Sequence, residues 1–240
     1  MRVAVVSDIH ANLVALDAVL AAVGSVDGVW HLGDVVGYGP EPDEVVARLA
    51  AIGAVGVAGN HDLAAVGGSE IDWFNPDARR AMEWTRARIG DPTKEWLRAL
   101  PKTRIESGMT LVHGSPRDPV WEYITSVPVA RANLAVLETS LGLHGHTHFP
   151  MAWADRDGRT EAIAPGPGST FRLTGRRALL NPGSVGQPRD GDPAASWLEI
   201  DTDGELATWR RVAYDIGAVR AAIHDVGLPA WLGDRLVVGL

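Results

Sequence analysis

Three histidines at every second position, His144, His146 and His148, stand in "LGLHGHTHFP" directly behind an apolar run. Imidazole changes its charge near neutral pH and is the commonest metal-binding side chain. Side chains two apart on an extended chain point the same way. Four other stretches carry residues of similar capability: "SDIH" has Asp8 and His10, "LGD" has Asp34, "GNHD" has Asn60 and His61, and "LVHGSP" has His113. Taken singly, each has an ordinary structural reading. Asp8 fits a helix cap, Asp34 a glycine-rich turn, and a lone His113 after an apolar run fits a hydrogen-bonded core histidine.

The elements that precede these residues give them a common location. "RVAVV" (2–6), "GVWHL" (28–32) and "AVGVA" (54–58) read as short β-branched strands alternating with helices, the pattern of βαβ units in a mostly parallel sheet. Asn12 caps the first helix, whose Leu13, Leu16 and Leu20 share a face, with Gly24 at its end. Pro42 opens the second, with Val45, Leu49 and Ile52 on one side and Gly53 after it. Residues 76–100 carry the spacing of two helices, 103–112 reads as a hairpin around Ser107 and Gly108, and 129–138 as a further helix. From 150 onward the texture changes to strand, turn, strand, and the tail from Ile216 reads as short helices broken by Pro229. The expected organisation is one domain over 1–240. It comprises a βαβ half (1–110) with a helical insertion near 76–100, a second half (110–212) ending in a β-meander, and C-terminal helices (213–240).

Five expected strands thus end in metal-capable residues, at the edge where α/β sheets bind ligands. That joint pattern points to a shared metal centre. Asp8, His10, Asp34, Asn60, His113, His146 and His148 make seven groups, too many for one first-row ion with an open position, so two ions sharing a carboxylate fit better. Hydrolytic ion pairs stand roughly 3.5–4 Å apart, whereas residues two apart on a strand are separated by about 6.5 Å. His146 and His148 can therefore serve one ion each. Gly145 separates His144 from them and leaves it as the end of a buried strand.

Composition narrows the chemistry further. Of 240 residues none is cysteine, which excludes disulfides and thiolate ligands and fits a reducing compartment. Any metal is held by nitrogen and oxygen, a donor set open to manganese, iron, zinc, cobalt or nickel; it does not choose among them, and manganese is the first expectation. A formal net charge of −8 disfavours a nucleic-acid polymer as partner. The N-terminal apolar run is too short for a signal peptide and is interrupted by Asp8 and His10, and no charge-free stretch approaches the roughly 20 residues that cross a bilayer. The expectation is a soluble, cytoplasmic protein without a membrane partner.

"SDIH", "GD" with "GYGP", "GNHD", "HGSP" and "GHTH" occur in the order and approximate spacing of the calcineurin-like metallophosphoesterases, which the chain resembles from residue 3 to about 200. "NPGSVGQPRDGD" (181–192) is similar to a bacterial and archaeal branch of small phosphodiesterases. The resemblance implies an α/β fold, the two-sheet α/β/β/α sandwich of that family. It implies that Asp8, His10 and His148 bind one divalent ion, that Asn60, His113 and His146 bind a second, and that Asp34 bridges. It also implies in-line attack by a metal-bound hydroxide, with His61 serving the leaving group.

Family members acting on phosphoproteins, and the symmetrical dinucleoside tetraphosphatases, carry an Arg-containing element after the bridging Asp, where this chain has Gly37 and Tyr38. The phosphate clamp must then come from elsewhere, and the orientation of His61 must rest on another group, with Asp62 the nearest acid. Candidates for substrate contact are Tyr38, Arg117 and Arg189. The bland reading of the two arginines is pairing with Asp118 and Asp190. Asn181 reads as structural. Of nine tryptophans, Trp84, Trp96 and Trp197 fall on helix and strand faces, whereas Trp121 and Tyr123 follow His113 closely enough to line a pocket. The expected activity is hydrolysis of a small phosphodiester or phosphomonoester of the nucleotide or dinucleotide class. A phosphoprotein phosphatase is the alternative, and a non-catalytic interaction module on the same fold a third reading.

Overall fold

The computed structural model describes residues 1–156 and 158–240, and the side chains of all of these except Ser69 and Glu70. In chain order its strands are β1 (Arg2–Val6), β2 (Gly28–His31), β3 (Val55–Gly56), β4 (Thr103–Glu106), β5 (Met109–Val112), β6 (Leu141–Leu143), β7 (Pro150–Arg156), β8 (Arg159–Ile163), β9 (Thr170–Arg172), β10 (Ala178–Pro182), β11 (Ala195–Asp201) and β12 (Leu206–Val212). The α-helices are α1 (Leu13–Val23), α2 (Pro42–Ala51), α3 (Asn60–Ala65), α4 (Pro76–Arg88), α5 (Asp91–Arg98), α6 (Val127–Val136), α7 (Ile216–Asp225) and α8 (Trp231–Val238), with a 3₁₀ turn at Ser69–Trp73.

The strands form two six-stranded sheets, ordered β3-β2-β1-β11-β12-β9 and β4-β5-β6-β10-β7-β8. Within each, one part is parallel (β1 with β2 and β2 with β3; β5 with β6 and β6 with β10) and the other pairs are antiparallel. The period of two along β1 explains the layering. Val3 and Val5 point inward, where they join Leu111, Leu143, Leu180 and Leu198 between the sheets. Ala4 and Val6 point outward and are covered by Leu16 and Val19 of α1 and Val45 and Leu49 of α2. On the far side, Trp153 and Leu179 are covered by Ala130 and Leu134 of α6. The result is the α/β/β/α sandwich expected from the motifs.

Local signals account for most boundaries. Asn12 Oδ1 accepts from the Ala15 N–H at 3.0 Å, and Gly24 leaves α1 with φ of 66°. Ser107 and Gly108 take φ of 48° and 77°, and the two positive values turn the β4–β5 hairpin. Ile52 departs from expectation: α2 stops at Ala51, and Ile52 is 42% exposed. The third strand is also shorter than 54–58, pairing only through Val55 and Gly56. Beyond it the ladder gives way to single bonds, Val57 N–H to His31 carbonyl and Ala58 N–H to Pro101 carbonyl. The polar "GNHD" starts the helix α3, where Asp62 accepts from the Gly59 N–H at 2.9 Å. Helix α6 spans Val127–Val136 instead of 129–138. The tail forms the α7–α8 hairpin, which packs Val219, Ile223, Leu232 and Leu236 against α4 and Tyr38.

Candidate metal centre

The parallel parts of both sheets bring their carboxyl ends to one edge. Asp8 and His10 follow β1, Asp34 follows β2, Asn60 and His61 follow β3, His113 follows β5, and His146 and His148 follow β6. All are buried, at most 5% exposed. The turns that aim them are left-handed, with φ of 52° at Asp8, 49° at His10, 51° at Asp34, 66° at His146 and 62° at His148. Such a conformation costs a residue with a Cβ of order 1–3 kcal/mol and persists only where the surroundings over-determine it. Here the turns are laced together. Asp8 N–H donates to the Gly33 carbonyl, His10 N–H to that of Asp34, and Gly145 N–H to that of His113. Gly39 belongs to the same lacing, since a Cβ there would stand 2.2 Å from the His10 carbonyl oxygen.

Three of the histidines are fixed in one tautomer by backbone carbonyls. The Nδ1 of His10 lies 3.3 Å from the Val36 oxygen, that of His113 2.8 Å from Leu32, and that of His148 2.6 Å from Gln187. A carbonyl only accepts, so each Nδ1 carries a proton. The neutral rings of His10 and His148 then turn Nε2 lone pairs at each other, 3.2 Å apart, which is unfavourable in a buried space without a cation between them. His113 Nε2 is 3.0 Å from His146 Nδ1 and 3.1 Å from Asn60 Oδ1, and in the metal-free protein it carries a second proton that fills the place of a cation. Asp8 Oδ1 adds a buried oxygen with no hydrogen-bond partner, 3.4 Å from His148 Nε2.

Candidate ligand atoms within 4.8 Å of one another fall into the sets Asp8–His10–His148 and Asp34–His113–His146, with His10–Asp34–His61 between them. Asp34 joins the sets through one oxygen. Its Oδ1 accepts from the His61 N–H at 2.9 Å, while Oδ2 stands 3.7 Å from His10 Nε2 and 3.4 Å from His113 Nε2. The donor set therefore fits divalent cations of the nitrogen and oxygen class. The electrostatics agree. Burial holds His10, His146 and His148 well below the usual imidazole range, and burial with the neighbouring Asp34 charge pushes Asp8 up to about 7. Against its own burial, His113 is pushed up to about 9 by Asp34 and Asp8. Without a metal, a proton on His113 is the cation of the cluster.

His61 is oriented by rings and not by Asp62. The Asp62 carboxylate is spent on the backbone N–H groups of Val35, Val36 and Gly59, at 2.9, 3.2 and 2.9 Å. The expectation that it orients His61 is therefore corrected: it fixes the turn that carries Asp34. The His61 ring is instead held by Tyr38, Phe74 and His10, with centroids 4.5, 4.6 and 4.9 Å away. Burial brings His61 down to about 4, against the pull of Asp34.

A cavity of about 270 Å³ opens over the cluster, lined by Asp34, Asn60, His61, His146 and His148, by Tyr38 and Arg189, and by an aromatic wall. Arg189 lies in it, with one Nη donating to Gln187 Oε1 at 2.8 Å and an enclosed Nε that has no partner. Its expected partner Asp190 is taken by Arg211. Arg117 is outside the cavity lining; its guanidinium stands 3.5 Å from Glu122 and is half exposed, so the structure does not bring it to the site. Tyr123 stacks on His146 at 3.8 Å between centroids. Trp73 and Phe74 also line the cavity, and no sequence signal marked them, because they sit in a connection without periodicity.

Asn181 is a strut, as read from the sequence. Its Nδ2 donates to the Gly145 carbonyl and Thr147 Oγ1 at 2.8 and 3.1 Å, while its Oδ1 accepts from Gly183 N–H. His144 is buried, its Nε2 has no partner, and its backbone N–H still pairs with Leu180.

A two-sheet sandwich with buried Asp and His clustered at its strand ends defines a class of metal-dependent hydrolases, and comparison with known proteins agrees. The family model for the calcineurin-like phosphoesterase superfamily domain matches residues 1–204. A solved metallophosphoesterase from Sphaerobacter thermophilus is 41% identical, covers 100% of this chain and 99% of its own, and superposes with a TM-score of 0.93. An uncharacterized protein of Methanocaldococcus jannaschii is 34% identical over 99% of this chain and 98% of its own. A symmetrical bis(5'-nucleosyl)-tetraphosphatase of Aromatoleum aromaticum is 30% identical over 55% of this chain and 50% of its own, so the match spans about half of that relative. The chain belongs to the calcineurin-like phosphoesterase superfamily, a metal-dependent phosphoric ester hydrolase by class. Among the described residues no helix is long and apolar enough to cross a membrane.

Proposed function

We propose that this chain hydrolyses a small phosphodiester or phosphomonoester of the nucleotide or dinucleotide class at a dinuclear metal centre. The observation that carries the reading is Asp34 Oδ2, which faces His10 Nε2 at 3.7 Å and His113 Nε2 at 3.4 Å and so belongs to both donor sets. Asp8, His10 and His148 would hold one ion, Asn60, His113 and His146 the other, and Asp34 both. When bound, two divalent cations, manganese before iron, zinc, cobalt or nickel, acidify a water for in-line attack and offset the charge growing on phosphoryl oxygen.

The remaining steps fall to the chain's own groups. Arg189, on the cavity wall, binds a non-bridging phosphoryl oxygen through its guanidinium, supplying the cation that the Gly37–Tyr38 sequence lacks. Tyr38 borders the same space. His61, caged by three rings, offers an imidazole N–H to the departing oxygen. The aromatic cavity favours a small ester with an organic leaving group, and the stretch related to dinucleoside tetraphosphatases supports the nucleotide class.

Turnover of bis(p-nitrophenyl) phosphate tests the reading. It is expected to require added Mn²⁺ or a similar ion, and to drop at least about 100-fold in Asp34→Asn and His61→Ala with circular dichroism unchanged. Full activity in Asp34→Asn, or none with any divalent ion on any phosphate ester, would overturn it. The same preparation assayed on nucleotides, dinucleoside polyphosphates and a phosphopeptide separates the substrate classes.

A further inference from the structure

Four aromatic side chains run outward from the centre in a connected series. His61 packs on Phe74 with centroids 4.6 Å apart, Phe74 meets Trp121 edge to face at 6.1 Å, and Trp121 stands 6.3 Å from Trp73 at an interplanar angle of 38°. Trp73 and Phe74 lie at the end of the 3₁₀ turn in the first half of the chain. Trp121 comes from the loop after β5 in the second half, and touches the ring of His146 edge to face at 6.5 Å. Two separate segments thus bring indoles together at the mouth of the cavity.

Trp73 is 82% exposed. An indole left mostly in water over a polar, metal-type site gains little from folding, since leaving its apolar surface wet forgoes burial energy. It also has room to move. Two layers of van der Waals contact need about 7 Å between enclosing planes, so a small outward rotation of the exposed ring would open the 6.3 Å, 38° wedge to a planar guest. The series starts at His61, the group that serves the departing oxygen, which puts the wedge on the leaving-group side.

We propose that Trp73 and Trp121 form a stacking clamp for a planar aromatic ring on the leaving group, and that the preferred ester is that of a nucleoside. This rests on the reading of the centre as a phosphoesterase, but the clamp can be measured by itself. Stacking between aromatic side chains is tolerant of base identity, so purine and pyrimidine esters bind with similar strength.

Adenosine 5′-monophosphate and ribose 5-phosphate share phosphate and sugar and differ only in the base; phenyl phosphate supplies a ring without a nucleoside. Isothermal titration of all three into the Mn²⁺-loaded protein should show adenosine 5′-monophosphate binding about tenfold or more tighter than ribose 5-phosphate. In Trp73→Ala and in Trp121→Leu that ratio should collapse towards one. Equal affinity in the parent protein, or a preference that survives both substitutions, overturns the clamp. Phenyl phosphate binding as tightly as the nucleotide keeps the clamp and overturns the nucleoside assignment. A clamp that passes in a protein hydrolysing none of the three esters, nor bis(p-nitrophenyl) phosphate, leaves the stacking site standing and removes the phosphoesterase reading. Trp73 is exposed enough for its variant to keep the fold, which circular dichroism checks.

Discussion

A Cβ on residue 37 would stand 2.4 Å from Nδ1 of His61, so glycine at 37 is what lets the His61 ring lie where it does. The same residue has φ of 92°, a conformation that side chains resist. Gly37→Ala should therefore push the ring off Tyr38 and Phe74. We expect kcat on bis(p-nitrophenyl) phosphate to fall at least about tenfold, because a misplaced proton donor loses most of its effect. Mn²⁺ affinity by titration should change little, since His61 is outside the two sets proposed to hold the ions; a loss of metal affinity as large as that of kcat would contradict this account of His61.

A proton on His113 and the metal compete for one nitrogen. With its group pushed up to about 9 by Asp34 and Asp8, His113 is protonated in the metal-free protein at pH 7.5. Its Nδ1 proton is held by the Leu32 carbonyl, so the proton displaced by a cation comes from Nε2. A proton bound below about pH 9 weakens metal binding as pH falls, by roughly tenfold per unit. Between pH 6.5 and 8 the affinity for Mn²⁺ should rise with pH. Calorimetry in two buffers of different ionisation enthalpy should show about one proton released per chain. An affinity flat with pH and a buffer-independent heat would mean that His113 is neutral before the metal arrives.

The three histidines of the opening motif separate in the structure. His146 and His148 belong to different donor sets, whereas His144 appears in none of them. His144→Gln should keep kcat/KM within about threefold, its cost falling on stability, because it alters only a buried polar neighbour of Asn181. His146→Gln and His148→Gln should each lose more than the roughly 10–100-fold typical of groups one shell behind a metal. A loss in His144→Gln equal to that of its neighbours would show that the strand end itself shapes the centre.

Much of this was legible in the residues. Asp8, Asp34, Asn60, His113 and the His146/His148 pair could be placed together because a strand's direction fixes which end presents its side chains, and β-branched runs reveal strands. Six of the seven groups lie in the clustered sets, and Asn60 joins them with its Oδ1 3.1 Å from His113 Nε2. What stayed hidden depended on contacts between segments far apart in sequence. Asp62 is adjacent to His61 yet bonds to Val35 and Val36. Arg117 and Arg189 look alike in their turns, but Glu122 draws one away while Arg211 takes Asp190 from the other. Trp73 lies in a connection without period, and only its neighbour across the cavity gives it a role.

Arg189 should affect substrate binding more than metal binding. It lines the cavity, and its Gln187 partner belongs to the same turn that fixes His148 through a carbonyl. Arg189→Lys keeps the charge but loses the planar fork, and Arg189→Gln loses both. KM for a phosphate ester is expected to rise several-fold in the first and about tenfold or more in the second. Unchanged KM in Arg189→Gln would move the phosphate clamp elsewhere.

Acid stability should be controlled in part by a histidine outside the centre. His31 ends β2 fully buried, with neither ring nitrogen hydrogen-bonded, and stacks on Trp96 at 5.4 Å between centroids. Burial, helped by Arg104, lowers it from 6.5 to about 3. Between those values the unfolded chain binds a proton that the folded chain refuses, so stability is complete above about pH 6.5 and falls as pH drops towards 3. At pH 5 the loss from this residue alone is about 2 kcal/mol. That corresponds to roughly 4–8 °C in Tm for a chain of this size. His31→Phe keeps the stacking partner and removes the titration. In chelator, so that metal loss does not contribute, the fall in Tm from pH 7.5 to pH 5 should be smaller in the variant by about that amount. An identical fall in both proteins would place the acid sensitivity in other groups, His144 first, which burial brings down to about 4.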